Sequence, residues 1–346
     1  MKLDFKEIDQ PFASTINFSG KEYLYFGGTA YLGIPQNDDF IKLYIDGIKK
    51  FGLNNGTSRS NNIQLGIYNE AENEAAKRCN AEAALVTSSG YLAAQLAVKE
   101  LSNFGSVIYA PSTHPALWLV QQTNISQNFT SWSNDVIKTV NSDKEKNWVL
   151  ISNSMNNLHP EIYDFNFLEQ IDNHKNIILI VDDSHGIGIN NNGYGAYVKL
   201  PKRSNIESVV VASMAKALGV DAGVILGSKK IIEQLKSTNT FIGASPPSAA
   251  GLFAFANGEE IYKNELKKLN ENITLFEESV DSNCSFEPNF PAFLFNDSAL
   301  ADKLLKKQIL ISSFPYPGTN NTSINRVIIS SWHTEEQIQK LITVLA

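Results

Sequence analysis

The chain has 346 residues, 43% of them hydrophobic, with 36 acids against 29 bases for a net charge of −7. That size accommodates a large domain plus a smaller lobe, and the acidity argues against nucleic acid as the main partner. Two cysteines far apart, Cys79 and Cys284, offer neither a disulfide framework nor zinc spacing, and the longest aliphatic run, Ile177 to Val181, is too short to cross a bilayer.

In chain order, the opening residues carry acids where a leader would be apolar, so a cytoplasmic protein is expected. Residues 1–48 read as an arm and a helix: Tyr23 to Phe26 is strand-like, Gly27-Gly28 breaks it, and Asp39 to Lys50 forms a helix. Residues 49–245 alternate helices with short apolar runs. Tyr68 to Arg78 and Tyr91 to Glu100 are helical; Ala83 to Thr87, Val107 to Tyr109, Trp148 to Ser152, Ile177 to Val181, Val209 to Ala212 and Val224 to Leu226 are strands. Continuous apolar runs joined by helical crossovers predict a mainly parallel sheet buried on both faces, in an α/β fold. Residues 246–346 read as a C-terminal α+β lobe. Pro246-Pro247 opens a helical stretch running towards Val280, Phe293 to Phe295 and Arg326 to Ser330 are strand candidates, and Ala299 to Lys307 is helix-like. Thr334 and Gln337 make a capping box for a last helix whose apolar face is Ile338, Leu341, Ile342 and Leu345.

Parallel sheets place ligands at the carboxyl ends of their strands. Asp182, Ser213 and Ser88-Ser89-Gly90 fall at such ends. Lys216 follows the β-branched run Val209-Val210-Val211, in an Ala-Leu-Gly context where a solvated lysine is unexpected. A lone lysine is otherwise surface charge, Asp182 alone a turn cap, and His185 alone a hydrogen-bonded core histidine. A lysine downstream of an aspartate that ends a buried strand is what pyridoxal phosphate chemistry requires. The amine condenses with the cofactor aldehyde, and the carboxylate keeps the pyridinium nitrogen protonated so that the ring accepts electrons. Ser89-Gly90-Tyr91 presents amides at a helix start, either a phosphate site or a plain cap. Ser213 can add a hydroxyl to the same phosphate. His114 either stacks on a cofactor ring or sits on the surface.

In order and spacing these segments resemble the α-oxoamine synthase family of fold-type I pyridoxal phosphate enzymes, with 8-amino-7-oxononanoate synthase and 2-amino-3-ketobutyrate CoA ligase among its members. The resemblance covers most of the chain. It runs through Tyr31-Leu32-Gly33, Gly56-Thr57-Ser58-Arg59 with Gly66, Ser89-Gly90-Tyr91, His114, Ser154-Met155, Asp182-Asp183-Ser184-His185, Ser213 to Gly219, and Arg326 to Thr334. It implies an aspartate-aminotransferase-like transferase fold and a homodimer with interface active sites. It also implies condensation of an amino acid with an acyl-CoA, biotin synthesis being the commonest bacterial setting. Lys216, His114, Asp182 and His185 would be catalytic. Ser89, Gly90, Tyr91, Ser213 and, from the partner chain, Ser245 would hold the phosphate, while Ser154 and His185 would approach the phenolic oxygen. Arg326 and Arg59 would meet the substrate.

The chain departs from the pattern around the substrate. Thr29-Ala30 stands for Asn-Asp, Asn156-Asn157 for Asp-Gly, Leu150 for a glutamate, and Ile324 for an arginine. A fold-type I aminotransferase, a carbon–carbon lyase and a non-catalytic cofactor- or partner-binding protein therefore stand beside the acyltransferase.

Overall fold

The computed structural model describes residues 5–120, 127–156, 158–280, 284–315 and 323–345. Its strands are β1 (Thr15–Phe18), β2 (Lys21–Phe26), β3 (Ala83–Thr87), β4 (Ser106–Tyr109), β5 (Asn147–Asn153), β6 (Met155–Asn156), β7 (Glu161–Ile162), β8 (Asn176–Asp182), β9 (Ile206–Ser213), β10 (Gly223–Gly227), β11 (Cys284–Phe286), β12 (Ala292–Phe295), β13 (Ile309–Pro315) and β14 (Ser323–Ile328). Its helices are α1 (Asp38–Phe51), α2 (Ile67–Arg78), α3 (Gly90–Leu101), α4 (Phe129–Ser142), α5 (Lys229–Lys236), α6 (Asn239–Ile242), α7 (Ala249–Asn257), α8 (Glu259–Glu277), α9 (Leu300–Lys306) and α10 (Glu335–Leu345).

The central sheet has the order β3-β10-β9-β8-β5-β4. Neighbours from β4 to β9 run parallel, and β10 is antiparallel to both β9 and β3. Its faces follow from the strand period of two. Along β8, Leu179 and Val181 enter one apolar cluster, while Ile178 and Ile180 enter the other with Leu96 of α3 and Ile231 of α5. Both faces are dry, which is why β8 needs apolar residues in succession. The parallel strands β5, β8 and β9 finish at one edge, with Asn153 opposite Asp182 and Asp182 opposite Val211. Polar chemistry is confined to that edge because the strand interiors are closed to it.

The second sheet has the order β1-β2-β13-β14-β12-β11, with β2 parallel to β13. The N-terminal arm is therefore part of the C-terminal lobe, which revises the expected division at residue 48. His333 fastens the two ends together. Its ring stacks on Phe26 at 4.2 Å, Nε2 lies 2.9 Å from the Tyr25 carbonyl, and Nδ1 accepts the Ser330 N–H. Burial lowers its pKa to about 4, so the ring is neutral at neutral pH.

The helical stretch after Pro246-Pro247 breaks at Gly258 into α7 and α8. α7 packs on α1 and α2, so the expected boundary at residue 246 falls inside a packed layer. Gly47 permits that packing, since a Cβ there would lie 2.8 Å from Ala250 Cα. The terminal capping box forms as its sequence dictates: Gln337 N–H donates to Thr334 Oγ1 at 3.2 Å, and Thr334 N–H to Gln337 Oε1 at 3.1 Å. Among the described residues no helix is long and apolar enough to cross a membrane.

Candidate active site

Lys216 sits in the turn between β9 and β10, closed by the Met214 N–H on the Ala222 carbonyl and the Val220 N–H on the Met214 carbonyl. The side chain is half-buried, and its pKa is lowered chiefly by burial, with Arg326 adding to the effect and Asp182 opposing it. An amine so placed loses its proton more readily than a surface lysine.

Asp182 ends β8 and is 8% exposed. Its Oδ1 accepts the Ser184 N–H at 2.9 Å, which anchors the carboxylate from below. His114 lies on the loop after β4 and is exposed. Its Nδ1 accepts the Ala116 N–H at 3.2 Å, so the proton of the neutral ring belongs on Nε2. Burial lowers its pKa, Lys216 lowers it further, and Asp182 acts the other way. His185 lies three residues beyond Asp182 and stays neutral through burial first, then the charges of Lys216, Arg326 and His114. Arg326 arrives from β14 of the other sheet, 9% exposed, its guanidinium 5.9 Å from the Phe314 ring centroid. Lys216, Asp182, His114, His185 and Arg326 thus lie within electrostatic reach of one another.

An anion cradle adjoins them. Ser89 caps α3, its Oγ accepting the Leu92 N–H at 3.1 Å, while the Gly90 and Tyr91 amides have no intrahelical acceptor. Gly90 presses on the end of β9, where a Cβ would stand 2.6 Å from Ser213 Cα. Only glycine brings the helix start this close to Ser213. Ser213 is itself placed by donating its N–H to Ser184 Oγ at 2.8 Å. The Tyr91 side chain is 63% exposed, so its contribution to the cradle is the backbone amide. An amine, a strand-end carboxylate and a helix N-terminus fit the aldehyde, ring nitrogen and phosphate of pyridoxal phosphate in chemical type.

Three expected residues lie elsewhere. Arg59 is committed to Glu72, with Nη1 2.9 Å from Oε1 and both side chains buried, and its guanidinium covers the Tyr68 ring at 4.7 Å. Because Glu72 neutralises that charge out of water, the expected substrate contact is corrected to a structural ion pair. Ser154 is 3% exposed, its N–H donating to the Asp182 carbonyl. Its hydroxyl lies beside Asp183, at a hollow of about 470 Å³ shared with Tyr163, Asn190 and Ala196. Ser245 lines a polar hollow of about 490 Å³ between residues 53–58 and 243–249.

Two further residues serve the site. Asn153, fully buried beside Asp182, accepts the His114 N–H through Oδ1 at 3.0 Å and donates through Nδ2 to the Ser112 carbonyl at 2.7 Å. Its one sequence signal is a polar residue ending an apolar strand. The Leu150 position, by contrast, is buried in mid-strand. Tyr31 places its hydroxyl 2.8 Å from His185 Nδ1.

The aminotransferase class I and II family model matches residues 32–345. The 8-amino-7-oxononanoate synthase of Petrotoga mobilis is 24% identical, over 97% of this chain and 91% of that protein. Its counterpart in Hahella chejuensis is 25% identical, over 98% and 90%. Among solved structures, a serine palmitoyltransferase from S. paucimobilis superposes with TM-score 0.83 at 18% identity, covering 98% of this chain and 90% of that one. The 8-amino-7-oxononanoate synthase of Francisella tularensis does so with TM-score 0.70 at 20% identity, covering 93% and 96%. The chain belongs to the aminotransferase class I and II family of fold-type I, pyridoxal-phosphate-dependent enzymes, and its resemblance within that family is to the α-oxoamine synthases.

Proposed function

We propose that the protein is an acyl-CoA-dependent C-acyltransferase acting on an amino acid, in the manner of 8-amino-7-oxononanoate synthase. The observation that carries the reading is the half-buried Lys216 in the turn that leaves the central sheet after β9, within electrostatic reach of Asp182 and Arg326. Pyridoxal phosphate, when bound, supplies the electron sink. Lys216 is assigned as the residue that holds it and then, as a free amine, takes the proton from the substrate α-carbon. Asp182 is assigned to the pyridinium nitrogen, His114 to the ring face, and Ser89, Gly90, Tyr91 and Ser213 to the phosphate. Arg326 is assigned to the substrate carboxylate, for which a buried guanidinium is suited as a planar donor.

The α-carbon then attacks the thioester carbonyl. A carbon–carbon bond forms, the carbon–sulfur bond breaks, the thiol leaves with a proton, and the resulting β-keto acid can release its carboxylate as carbon dioxide, a proton taking its place on the α-carbon. A homodimer belongs to the same proposal. Ser245 lines an open polar hollow, and the exposed Leu53 and Ile242 lie in or beside its walls, as a subunit contact requires.

Thiol release from a panel of acyl-CoAs, with and without each amino acid, tests this. The proposal predicts release that depends on one amino acid. Conversion of the cofactor to its amine form by an amino acid alone would mark an aminotransferase instead. Cofactor binding without turnover would mark a binding protein.

A further inference from the structure

Tyr31 is fully buried, and His185 Nδ1, at 2.8 Å, is the hydrogen-bond partner of its hydroxyl among the described residues. A phenol has a single proton to give. Were Nδ1 protonated, that proton would point at another donor, and the Tyr31 hydrogen would be buried with no acceptor. The arrangement that satisfies both groups has Tyr31 donating and Nδ1 offering its lone pair. The ring does not escape by taking a second proton, because burial first, and then the charges of Lys216, Arg326 and His114, disfavour its cationic form.

Tyr31 is itself held from several sides. Its carbonyl accepts the Ser331 N–H and the Ser330 hydroxyl, and Phe290 meets its ring edge-on at 5.8 Å between centroids. The phenol is therefore a fixed post rather than a mobile partner.

We infer that Tyr31 is a positioning residue that fixes His185 as the neutral Nε2–H tautomer, leaving an N–H donor available to the anionic phenolic oxygen of a cofactor held at Lys216. The inference rests on that cofactor placement. It gives a chemical reason for a tyrosine in the Tyr31-Leu32-Gly33 segment, on an arm that enters the site from the other sheet.

The test compares wild type with Tyr31→Phe, which keeps the ring and removes the hydroxyl. Side-chain ¹⁵N NMR of the five histidines, with His185→Gln to assign the signal, reads the tautomer with and without pyridoxal phosphate. The expected wild-type result is a bare Nδ1 and a protonated Nε2. In Tyr31→Phe the proton distributes over both nitrogens. The pH midpoint of the bound cofactor's visible absorbance then moves up by about one unit, a tenfold change in proton affinity. A protonated Nδ1 in wild type, or a spectrum and midpoint unchanged in Tyr31→Phe, would overturn the inference. A visible band missing from wild type would contradict the cofactor placement instead, and the cofactor-free spectrum would still decide the tautomer.

Discussion

Asn153 holds the His114 loop by both ends of its amide, and the loop includes Ser112 at φ +56°, a strained conformation for a non-glycine residue. Replacing it with alanine removes both of these part-buried hydrogen bonds, at about 1–3 kcal/mol together. Asn153→Ala is expected to lower the urea midpoint and to reduce turnover by about tenfold or more, since a small misplacement of a catalytic group is costly. Full activity in a destabilised protein would assign Asn153 to stability alone. Asp183 makes the opposite kind of prediction. Burial raises its pKa from 3.8 to about 7, with Asp182 adding to the rise and the Ser154 hydroxyl and Ala196 N–H restraining it. An acid whose folded pKa is raised stabilises the fold while protonated, and that contribution is lost as pH rises from about 4 towards 7. Asp183→Asn should therefore melt several degrees above wild type at pH 8, with the gap narrowing below pH 7 and closing towards pH 4. A gap independent of pH would contradict the protonated carboxyl. Among single residues, the strand-end positions of Lys216 and Asp182 were legible because they follow apolar runs. Arg59 was misassigned because sequence does not show that Glu72 turns to meet it, and Asn153 was passed over because a polar residue ending a strand is commonplace.

The element proposed to bind the cofactor's phosphate is the start of α3 against the end of β9. Their contact needs a residue without a side chain at position 90. Gly90→Val would place methyl groups where Ser213 stands and push the helix start away. The expected result is intact thermal stability to within a few degrees, with pyridoxal phosphate affinity reduced at least tenfold in an absorbance titration. Unchanged affinity would show that the cradle lies elsewhere. The strands of the central sheet were legible to within a residue at each end, because double-sided burial forces unbroken apolar runs; β9 is the exception, starting three residues before the expected Val209, where Glu207 and Ser208 interrupt the run. β13 was not, since its residues are mostly half-exposed and alternate irregularly. Nor does composition signal α4. Its threonine, serine and asparagine content is poor for a helix, and only the buried face of Phe129, Trp132, Val136 and Val140 holds it.

At the scale of the whole molecule, the N- and C-terminal segments join in one sheet, and that sheet delivers Arg326 and Tyr31 to the end of the other. No reading of adjacent residues announces this, because the pairing of β2 with β13 spans nearly the entire chain. The proposed homodimer predicts a particle of twice the 38.2 kDa chain mass in sedimentation. It also predicts complementation. If Ser245 serves its partner's site, a heterodimer of Lys216→Ala and Ser245→Ala chains contains one wild-type site and recovers about half of wild-type activity per dimer. Activity no higher than half that of the Ser245→Ala homodimer would put Ser245 in its own chain's site or in none.

The central claim is that the Lys216 amine carries pyridoxal phosphate. The direct measurement is borohydride reduction of the loaded protein, followed by proteolysis and mass mapping of the peptides. The account predicts a single phosphopyridoxyl group, on the peptide containing Lys216, and none on a Lys216→Ala chain treated alike. A label on any other lysine, or an unlabelled Lys216 in protein that retains the cofactor, would contradict it.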